Sequence, residues 1–192
     1  MRRRTFCQLA GATALAGPVR ANREDLPFKL NYLVSSAMYG TTALAEVLPE
    51  VGKAGTSFID IWPRSHANHR EQVAAMGLEA FEELLTKHGV RLGALTQYKL
   101  GPFGLAPELP VARRFGCRVI VCGTRGDRKA TGPTLRAEVK KFTEEMKPHA
   151  DAAAEHGVTI AVENHSGQIL ATPDGIKWFA ELAIHPHLAL AF

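Results

Sequence analysis

Two hydrophobic patterns alternate along the chain. Short runs of apolar residues without polar alternation, such as residues 158–162, predict strands that are buried on both faces and therefore parallel. Apolar residues that recur at i, i+3, i+4 and i+7, as in the segment 44–51, predict helices with one buried face. This alternation is typical of α/β folds.

The predicted strands begin near residues 28, 57, 90, 117, 158 and 188, and each except the last is followed by a helical segment. The first strand is expected at residues 28–34. A helical pattern covers residues 69–88, with Gly77 as a candidate break. The clearest helix has Pro133 in its first turn and stops at His156.

Two sheet closures fit this repeat. A (β/α)8 barrel needs about 250 residues, whereas an open doubly wound sheet would be complete within the 192 residues of this chain. No Gly-x-Gly-x-x-Gly motif opens the first βα turn and no Gly-Lys-[Ser/Thr] loop is present, so a nucleotide site has little support. The last predicted strand also has no helix to cover it. We therefore expect an α/β fold that is an incomplete (β/α)8 TIM barrel, with about five βα units and a sixth strand.

The first 21 residues have the anatomy of an export signal. Three arginines at positions 2–4 precede a short Ala- and Gly-rich apolar region, and residues 19–21 approximate a small-x-small cleavage site. Consecutive arginines favour the twin-arginine route and a periplasmic location, with a disordered basic N-terminus as the alternative. Residues 22–27 then form a linker, and residues 28–192 form the barrel domain. No stretch approaches the roughly 18 apolar residues of a membrane span, so no membrane association is expected after signal removal.

The basic character of the chain belongs to this leader. The chain carries 23 Lys and Arg against 19 Asp and Glu. The four arginines within residues 1–21 account for the whole excess, because that segment contains no acidic residue. The remaining domain is neutral, which argues against nucleic acid as a partner.

Two cysteines lie outside the leader. Cys117 and Cys122 flank four residues of the predicted fourth strand and point to opposite faces of it. Five residues of strand separate them by about 16 Å, which excludes a disulfide between them. Both are therefore expected to be buried thiols.

The most specific sequence lies at the end of the fifth strand. There a buried apolar run is followed by Glu163, Asn164 and His165, after a long amphipathic helix that ends in His-Gly-Val. The second strand has the sequence Phe-Ile-Asp-Ile-Trp. With these motifs and spacings, residues 28–192 resemble the sugar phosphate isomerase/epimerase superfamily, the xylose-isomerase-like TIM barrels.

The resemblance implies a divalent metal ion, such as Mn, Mg, Co or Zn, held by a strand-five Glu and by residues of later strands. By this resemblance, the metal would polarise a carbonyl and a hydroxyl of a sugar while carboxylates would move a proton at the adjacent carbon. Glu163 matches the strand-five position, and residues 188–192 contain no matching Asp. The implied partner is a small sugar or polyol, and a homo-oligomer is left open.

The chemistry of the side chains at the end of strand five, considered without the resemblance, also suggests roles for them. A carboxylate such as that of Glu163 suits either a metal ligand or a general base, and an ion pair with Lys or Arg is the structural alternative. His165 would share a face with Glu163 if strand geometry persists that far. It is a candidate to bind substrate hydroxyls, and a plain loop histidine is the alternative.

Three further candidates follow from the second strand. Asp60 and Trp62 share a face near its end, where Asp60 would accept from a hydroxyl and Trp62 would form an apolar wall against a sugar ring. Trp62 packed on helices outside the barrel is the alternative. His66 lies in the following loop, three residues before His69. The two could form a zinc pair, but solvated histidines are the favoured interpretation.

Long polar side chains follow the third and fourth strands. Gln97 and Tyr98 are candidates to line a polyol pocket, with a loop surface as the alternative. Arg125 could clamp a phosphate or carboxylate with its planar guanidinium, or could instead pair with Asp127.

Three functions fit these residues to different degrees. The leading hypothesis is a metal-dependent sugar or sugar-phosphate isomerase or epimerase, with Glu163 as ligand and proton-transfer group. The second is a non-catalytic sugar-binding domain or an inactive truncated barrel. The third, an endonuclease of the same fold, would need several His and carboxylate ligands and a basic face. The neutral domain and the leader argue against it.

Overall fold

The computed structural model describes residues 30–192. The predicted signal at residues 1–21, the linker at 22–27 and the first two residues of the predicted first strand lie outside this range. Among residues 30–192, none of the helices is both long and apolar enough to cross a membrane.

Within residues 30–192, six strands alternate with six α-helices. The strands are β1 (Val34–Ser35), β2 (Phe58–Ile61), β3 (Arg91–Thr96), β4 (Val119–Cys122), β5 (Thr159–Glu163) and β6 (Leu188–Ala191). The helices are α1 (Leu44–Lys53), α2 (His69–Met76), α3 (Leu78–His88), α4 (Leu109–Arg114), α5 (Gly132–Glu155) and α6 (Pro173–Leu182). Short 3-10 turns at Ser36–Tyr39 and Ala106–Glu108 precede α1 and α4.

The order of the strands decides between the two predicted closures. All six pair in parallel, and their order in the sheet is their order in the chain. A doubly wound sheet would reverse direction at a switch point, and this sheet does not. The fold is α/β with the strand order of a TIM barrel, as predicted.

The two faces of the sheet differ in how far they are covered. On β4, Ile120 and Cys122 are fully buried, whereas Val119 and Val121 are only partly buried. Successive side chains of a strand point to opposite faces, so one face packs against helices and the other is less covered. The prediction that the strands are buried on both faces is therefore right for the middle of β5 and wrong for β4.

The first strand is shorter than predicted. Residues 30–33 have no regular structure, and β1 is reduced to two residues that pair with Ile59 and Asp60. Upstream of β1 the chain is held by side chains instead, because the Tyr32 hydroxyl donates to the carbonyl of Gly55 over 3.2 Å. The Tyr32 carbonyl in turn accepts from the Thr56 hydroxyl over 2.6 Å.

The predicted break at Gly77 is confirmed. Gly77 ends α2 and begins α3 with φ of 84°, in the region that favours glycine. The predicted helix over residues 69–88 is therefore two helices that share one glycine.

The two cysteine thiols are free and buried, as predicted. Burial raises the pKa of Cys117 to about 11 and that of Cys122 to about 12. Both thiols are therefore protonated and unreactive at neutral pH.

Candidate functional site

The functional candidates gather at one edge of the sheet. Parallel strands present all their carboxyl ends at the same edge. Asp60 lies at the end of β2, Thr96 ends β3 and Glu163 ends β5. The loops that follow these strands carry the remaining candidates, so residues far apart in sequence share this edge.

Asp60 is the most deeply buried acidic candidate. Its side-chain oxygen Oδ2 accepts hydrogen bonds from Trp62 Nε1 over 2.5 Å and from the Thr96 hydroxyl over 2.8 Å. Its second oxygen, Oδ1, is buried and has no hydrogen-bond partner among residues 30–192. Burial raises the pKa of Asp60 to about 6, although the bonds from Thr96 and Trp62 lower it, and the charge of Glu163 adds to the rise.

Four aromatic rings form a row that is joined to this carboxyl through the indole of Trp62, and we call this row the aromatic array. Trp62 stacks on Tyr98, with ring centroids 5.8 Å apart and planes inclined by 27°. His66 meets Trp62 edge-on at 5.4 Å, and His165 meets Tyr98 edge-on at 5.6 Å. The array therefore connects the loops after β2, β3 and β5. The alternative in which Trp62 packs on the outer helices is wrong.

Glu163 ends β5 half-buried, and its register partner on β6 is Ala191. None of the ion pairs found within the described range involves Glu163. The alternative interpretation, an ion pair between Glu163 and a Lys or Arg, is therefore wrong among the described residues. Its carboxylate remains available for proton transfer or for binding a cation.

The strand geometry does not persist as far as His165. The strand ends at Glu163, and His165 is exposed in the loop that follows. Its Nδ1 lies 2.8 Å from the carbonyl oxygen of Ser166. His165 reaches the site through its contact with Tyr98 and not through a shared strand face. Asn164 anchors the start of this loop, because its backbone N–H donates to the Ala191 carbonyl over 3.2 Å.

The two loop histidines do not form a pair. His66 is exposed beside Trp62. His69 is fully buried, and its Nε2 lies 2.9 Å from the carbonyl oxygen of Thr42. The prediction of a solvated histidine is therefore wrong for His69, because the start of α2 folds against the loop before α1. Burial lowers the pKa of His69 and favours the neutral ring.

Gln97 and Tyr98 follow β3 but differ in exposure. Gln97 is only 2% exposed, and its backbone N–H donates to the Val121 carbonyl over 2.8 Å. Tyr98 is half-buried, and its hydroxyl has no partner within the described part of the chain. Tyr98 therefore presents its ring to the site, whereas Gln97 lies beneath the surface.

Arg125 is exposed in the loop between β4 and α5, within two clefts. The predicted alternative of an ion pair with Asp127 is wrong, because no oxygen of Asp127 lies within 4.0 Å of its guanidinium in the described structure. The Asp127 carboxylate instead accepts from the backbone N–H of Lys129 over 2.9 Å.

Sequence reasoning missed two contributors to this edge. Thr96 holds Asp60 through its hydroxyl. Gln168, in the loop after β5, accepts from both the backbone N–H and the hydroxyl of Thr124. A Cβ on Gly123 would lie 2.7 Å from Gln168 Nε2. Gly123 is the one sequence feature that could have indicated this contact, because a residue without a side chain permits Gln168 to approach the backbone.

The described residues do not complete a metal site. Within residues 30–192, no three His, Cys, Asp or Glu side chains converge in a way that could hold an ion. Glu163 is the one member of the expected ligand set that these residues offer, and a single carboxylate does not hold a divalent ion tightly.

Comparisons with known proteins agree with this architecture. Residues 48–192 match the family described as xylose isomerase-like TIM barrel. No curated protein sequence matches the chain significantly.

Solved structures share the fold at low sequence identity. The IolI protein with a bound zinc atom has a TM-score of 0.65 and 17% identity, over 84% of this chain and 62% of that one. A xylose isomerase-like TIM barrel protein from Mycobacterium smegmatis, in complex with magnesium, has a TM-score of 0.61 and 17% identity, over 83% of this chain and 63% of that one. D-allulose 3-epimerase from Methylomonas sp. has a TM-score of 0.61 and 17% identity, over 85% of this chain and 63% of that one.

The chain spans less than two thirds of the length of these three structures. At such identities the likeness establishes the fold alone. The family match, in contrast, covers most of the sequence and includes β2 to β6. The chain belongs to the xylose isomerase-like TIM barrel family.

Proposed function

We propose that this chain belongs to a sugar isomerase or epimerase, in which Glu163 moves a proton at the carbon next to a carbonyl. The observation that carries the proposal is the position of Glu163, a half-buried carboxylate outside the ion pairs of the described residues, at the edge of the sheet where Asp60 and the aromatic array also lie. A carboxylate at the end of a barrel strand lies where TIM-barrel enzymes place their catalytic groups. The family membership and the shared fold of a D-allulose 3-epimerase support the same reaction class.

Glu163 takes the proton from the carbon beside the carbonyl, and the electron pair left behind forms an enediolate. Return of this proton by Glu163 to the neighbouring carbon, on the same face, gives the isomer once a proton has also moved between the two oxygens of the enediolate. Epimerisation needs a second proton donor on the opposite face, because one carboxylate reaches only one face of the carbon. Carboxylates perform such general acid–base steps when they lie within hydrogen-bond reach of the substrate.

Substrate positioning is assigned to the aromatic array and its surroundings. Trp62 and Tyr98 offer ring faces against which the apolar face of a sugar packs. His66 and His165 lie at the two ends of the array and would bind hydroxyl groups. Asp60 accepts from Trp62 and so holds the indole in place.

Gln97 and Arg125 complete the proposed binding residues. Gln97 is buried and would contact the substrate from below the surface. Arg125 is exposed and would contact it from the loop between β4 and α5. A divalent ion is expected from the family resemblance, with Glu163 as one ligand. Zinc and magnesium are present in two of the structures that share the fold.

The test is hydrogen exchange into the substrate. Ketoses and aldoses are incubated with the chain in D2O, with no added metal or with Mn, Mg, Co or Zn, and deuterium at the carbon next to the carbonyl is followed by proton NMR. We expect exchange with the native chain and a loss of at least about a hundredfold in Glu163→Gln, since general base catalysis contributes that much. Glu155→Gln is the matched control, because Glu155 is exposed at the opposite end of the sheet, just before β5. Equal exchange by Glu163→Gln and Glu155→Gln would refute the proposal.

A non-catalytic sugar-binding domain is the second candidate. It is supported by an aromatic array suited to sugar rings. It predicts sugar binding that depends on Trp62 and Tyr98 without deuterium exchange under any metal condition. The same samples therefore separate the two candidates.

We also propose export of the protein by the twin-arginine route, on the basis of the leader sequence alone. Fusion of residues 1–30 to a reporter should deliver it to the periplasm. Replacement of Arg3 and Arg4 by Lys should retain it in the cytoplasm, whereas replacement of Arg20 should not. Equal export of all three fusions would contradict this route.

A further inference from the structure

We propose that the loops beside the aromatic array form a subsite for an anionic group, so that the substrate is a sugar carrying a phosphate or a carboxylate. The subsite is a cleft of about 300 Å³ between three loops of the carboxyl edge, which we call the basic cleft. It is lined by Gly101 and Pro102 after β3, by Thr124, Arg125 and Arg128 after β4, and by Gln168 after β5. This inference rests on the proposed function for the identity of the bound molecule.

The positive charge of the basic cleft has no carboxylate partner among the residues that line it. Arg125 and Arg128 are both exposed, and neither forms an ion pair with a carboxylate of the described chain. No acidic residue is among those that line it. A guanidinium presents several N–H donors in one plane and binds phosphate or carboxylate oxygens in pairs. Two of them in one cleft therefore favour an anion.

A second cleft that Arg125 also lines does contain carboxylates. It lies between Phe103 and α5, and its lining includes Glu138 and Glu145 in addition to Arg125 and Lys141. The carboxylates there would repel an anion. Arg125 lines both clefts, and of the two only the basic cleft combines two arginines with no lining carboxylate.

The wall of the basic cleft is fixed before any ligand binds. Gln168 Oε1 accepts from the backbone N–H of Thr124, and from its hydroxyl over 2.9 Å. The backbone N–H of Asp127 donates to Glu138 over 3.0 Å, which holds the segment between the two arginines against α5. A site whose backbone is already ordered loses less entropy when it binds.

The basic cleft adjoins the proposed catalytic site. A Cβ on Gly123 would lie 2.7 Å from Gln168 Nε2 and 3.1 Å from Tyr98 Cε1, so these two side chains flank the same stretch of backbone. Tyr98 belongs to the aromatic array, and Gln168 belongs to the basic cleft. A sugar packed on the array would place a terminal phosphate or carboxylate towards Arg125 and Arg128.

The first experiment uses inorganic phosphate as the probe. The chain is titrated with phosphate at constant ionic strength, and the Nε–Hε resonances of the arginines are followed by ¹H–¹⁵N NMR. Arg125→Gln and Arg128→Gln should each weaken phosphate binding about tenfold, as expected for a lost charged hydrogen bond. Arg136→Gln is the matched control, because Arg136 is exposed on α5 and lines neither cleft. It should change the affinity less than twofold. Equal weakening by all three variants, or no weakening by the first two, would overturn the inference.

The second experiment identifies the source of the anionic group. A pentose phosphate, a hexuronate and a neutral hexose are titrated in the same way. Preference for either acidic sugar, lost in Arg125→Gln, supports the inference and names the group. Tightest binding of the neutral hexose, unaffected by Arg125→Gln, would overturn it. Failure of the two proposals is distinguishable, because binding of an acidic sugar without deuterium exchange would contradict only the proposed catalysis.

Discussion

The indole Nε1 of Trp62 donates a hydrogen bond to Oδ2 of Asp60 over 2.5 Å. The prediction that these two residues share a face at the end of β2 is thereby confirmed. The bond joins a buried carboxyl to an aromatic ring that lies between His66 and Tyr98. The bond favours the ionised form of Asp60, because it lowers the pKa of that carboxyl.

The first prediction concerns the pH dependence of stability. Burial raises the pKa of Asp60 from 3.8 to about 6, so between these pH values the folded chain binds more protons than the unfolded chain. The stabilising contribution of Asp60 is fully present below pH 3.8 and is lost as the pH rises through about 6. We expect the native chain to lose up to about 3 kcal/mol over this range from Asp60.

Urea unfolding at a series of pH values measures this loss. Asp60→Asn should abolish the part of the slope that arises between pH 4 and 6, because an amide does not titrate. Asp174→Asn, at an exposed position of α6, should retain the slope of the native chain. A native-like slope in Asp60→Asn would contradict the assignment.

The second prediction concerns Trp62 directly. Trp62→Phe keeps a ring against Tyr98 but removes the N–H that lowers the pKa of Asp60. The pKa of Asp60 should therefore rise further, above about 6. The carboxyl ¹³C resonance of Asp60 measures it, and Trp178→Phe on α6 is the control that should leave it unchanged. An unchanged pKa in Trp62→Phe would show that the hydrogen bond has no influence in solution.

The third prediction concerns the contact between Gly123 and Gln168. Gln168→Ala removes the acceptor of two Thr124 donors and should destabilise the fold by about 1–2 kcal/mol. Gly123→Ala places a methyl group 2.7 Å from Gln168 Nε2, so the Gln168 side chain must move away from Thr124. Since both changes disrupt the same contact, the double variant should cost less than the sum of the single variants.

Chemical denaturation of the three variants gives the coupling energy. Gly52→Ala is the control, because a Cβ there meets no atom within 4 Å and Gly52 lies inside α1. It should be neutral or stabilise the chain by up to about 1 kcal/mol. Strict additivity of Gly123→Ala and Gln168→Ala would exclude the proposed contact.

The fourth prediction concerns the ion pair between Arg70 and Glu108. The atoms Arg70 Nε and Glu108 Oε2 are 2.8 Å apart, and the side chains are 16% and 6% exposed. The pair joins the start of α2 to the 3-10 turn before α4 and so connects two loops of the carboxyl edge. Arg70→Met leaves the Glu108 carboxylate buried without its partner and should destabilise the fold by about 3 kcal/mol or more.

An exposed ion pair provides the comparison. Arg114 pairs with Glu79 and Glu82, and its side chain is 32% exposed. Arg114→Met should therefore cost much less than Arg70→Met, because solvent screens an exposed ion pair. The double change Arg70→Met with Glu108→Leu should recover part of the loss, because no charge is left unpaired. Thermal or urea unfolding of the four chains measures these differences, and equal costs at Arg70 and Arg114 would show that burial does not strengthen the pair.

The sequence alone determined the fold class and the strand that carries Glu163. Runs of apolar residues that recur with the spacing of βα units indicate which segments are buried. This burial follows from the local sequence pattern, so five of the six strands appear where their sequences predict them. The first strand was overestimated, because residues 30–33 are apolar enough for a strand but find no pairing partner in the sheet.

The tertiary structure decided how the candidate residues meet. Sequence placed Trp62, Tyr98 and His165 at the ends of three different strands, but the aromatic array exists only because parallel strands end at one edge. It also decided that His69 is buried, that Arg125 does not pair with Asp127 and that Gln168 ties two loops together. The burial of His69 and the bond from Gln168 depend on contacts between segments distant in sequence. Hydrophobic periodicity carries no information about such contacts, because it records which residues are buried and not against which partners.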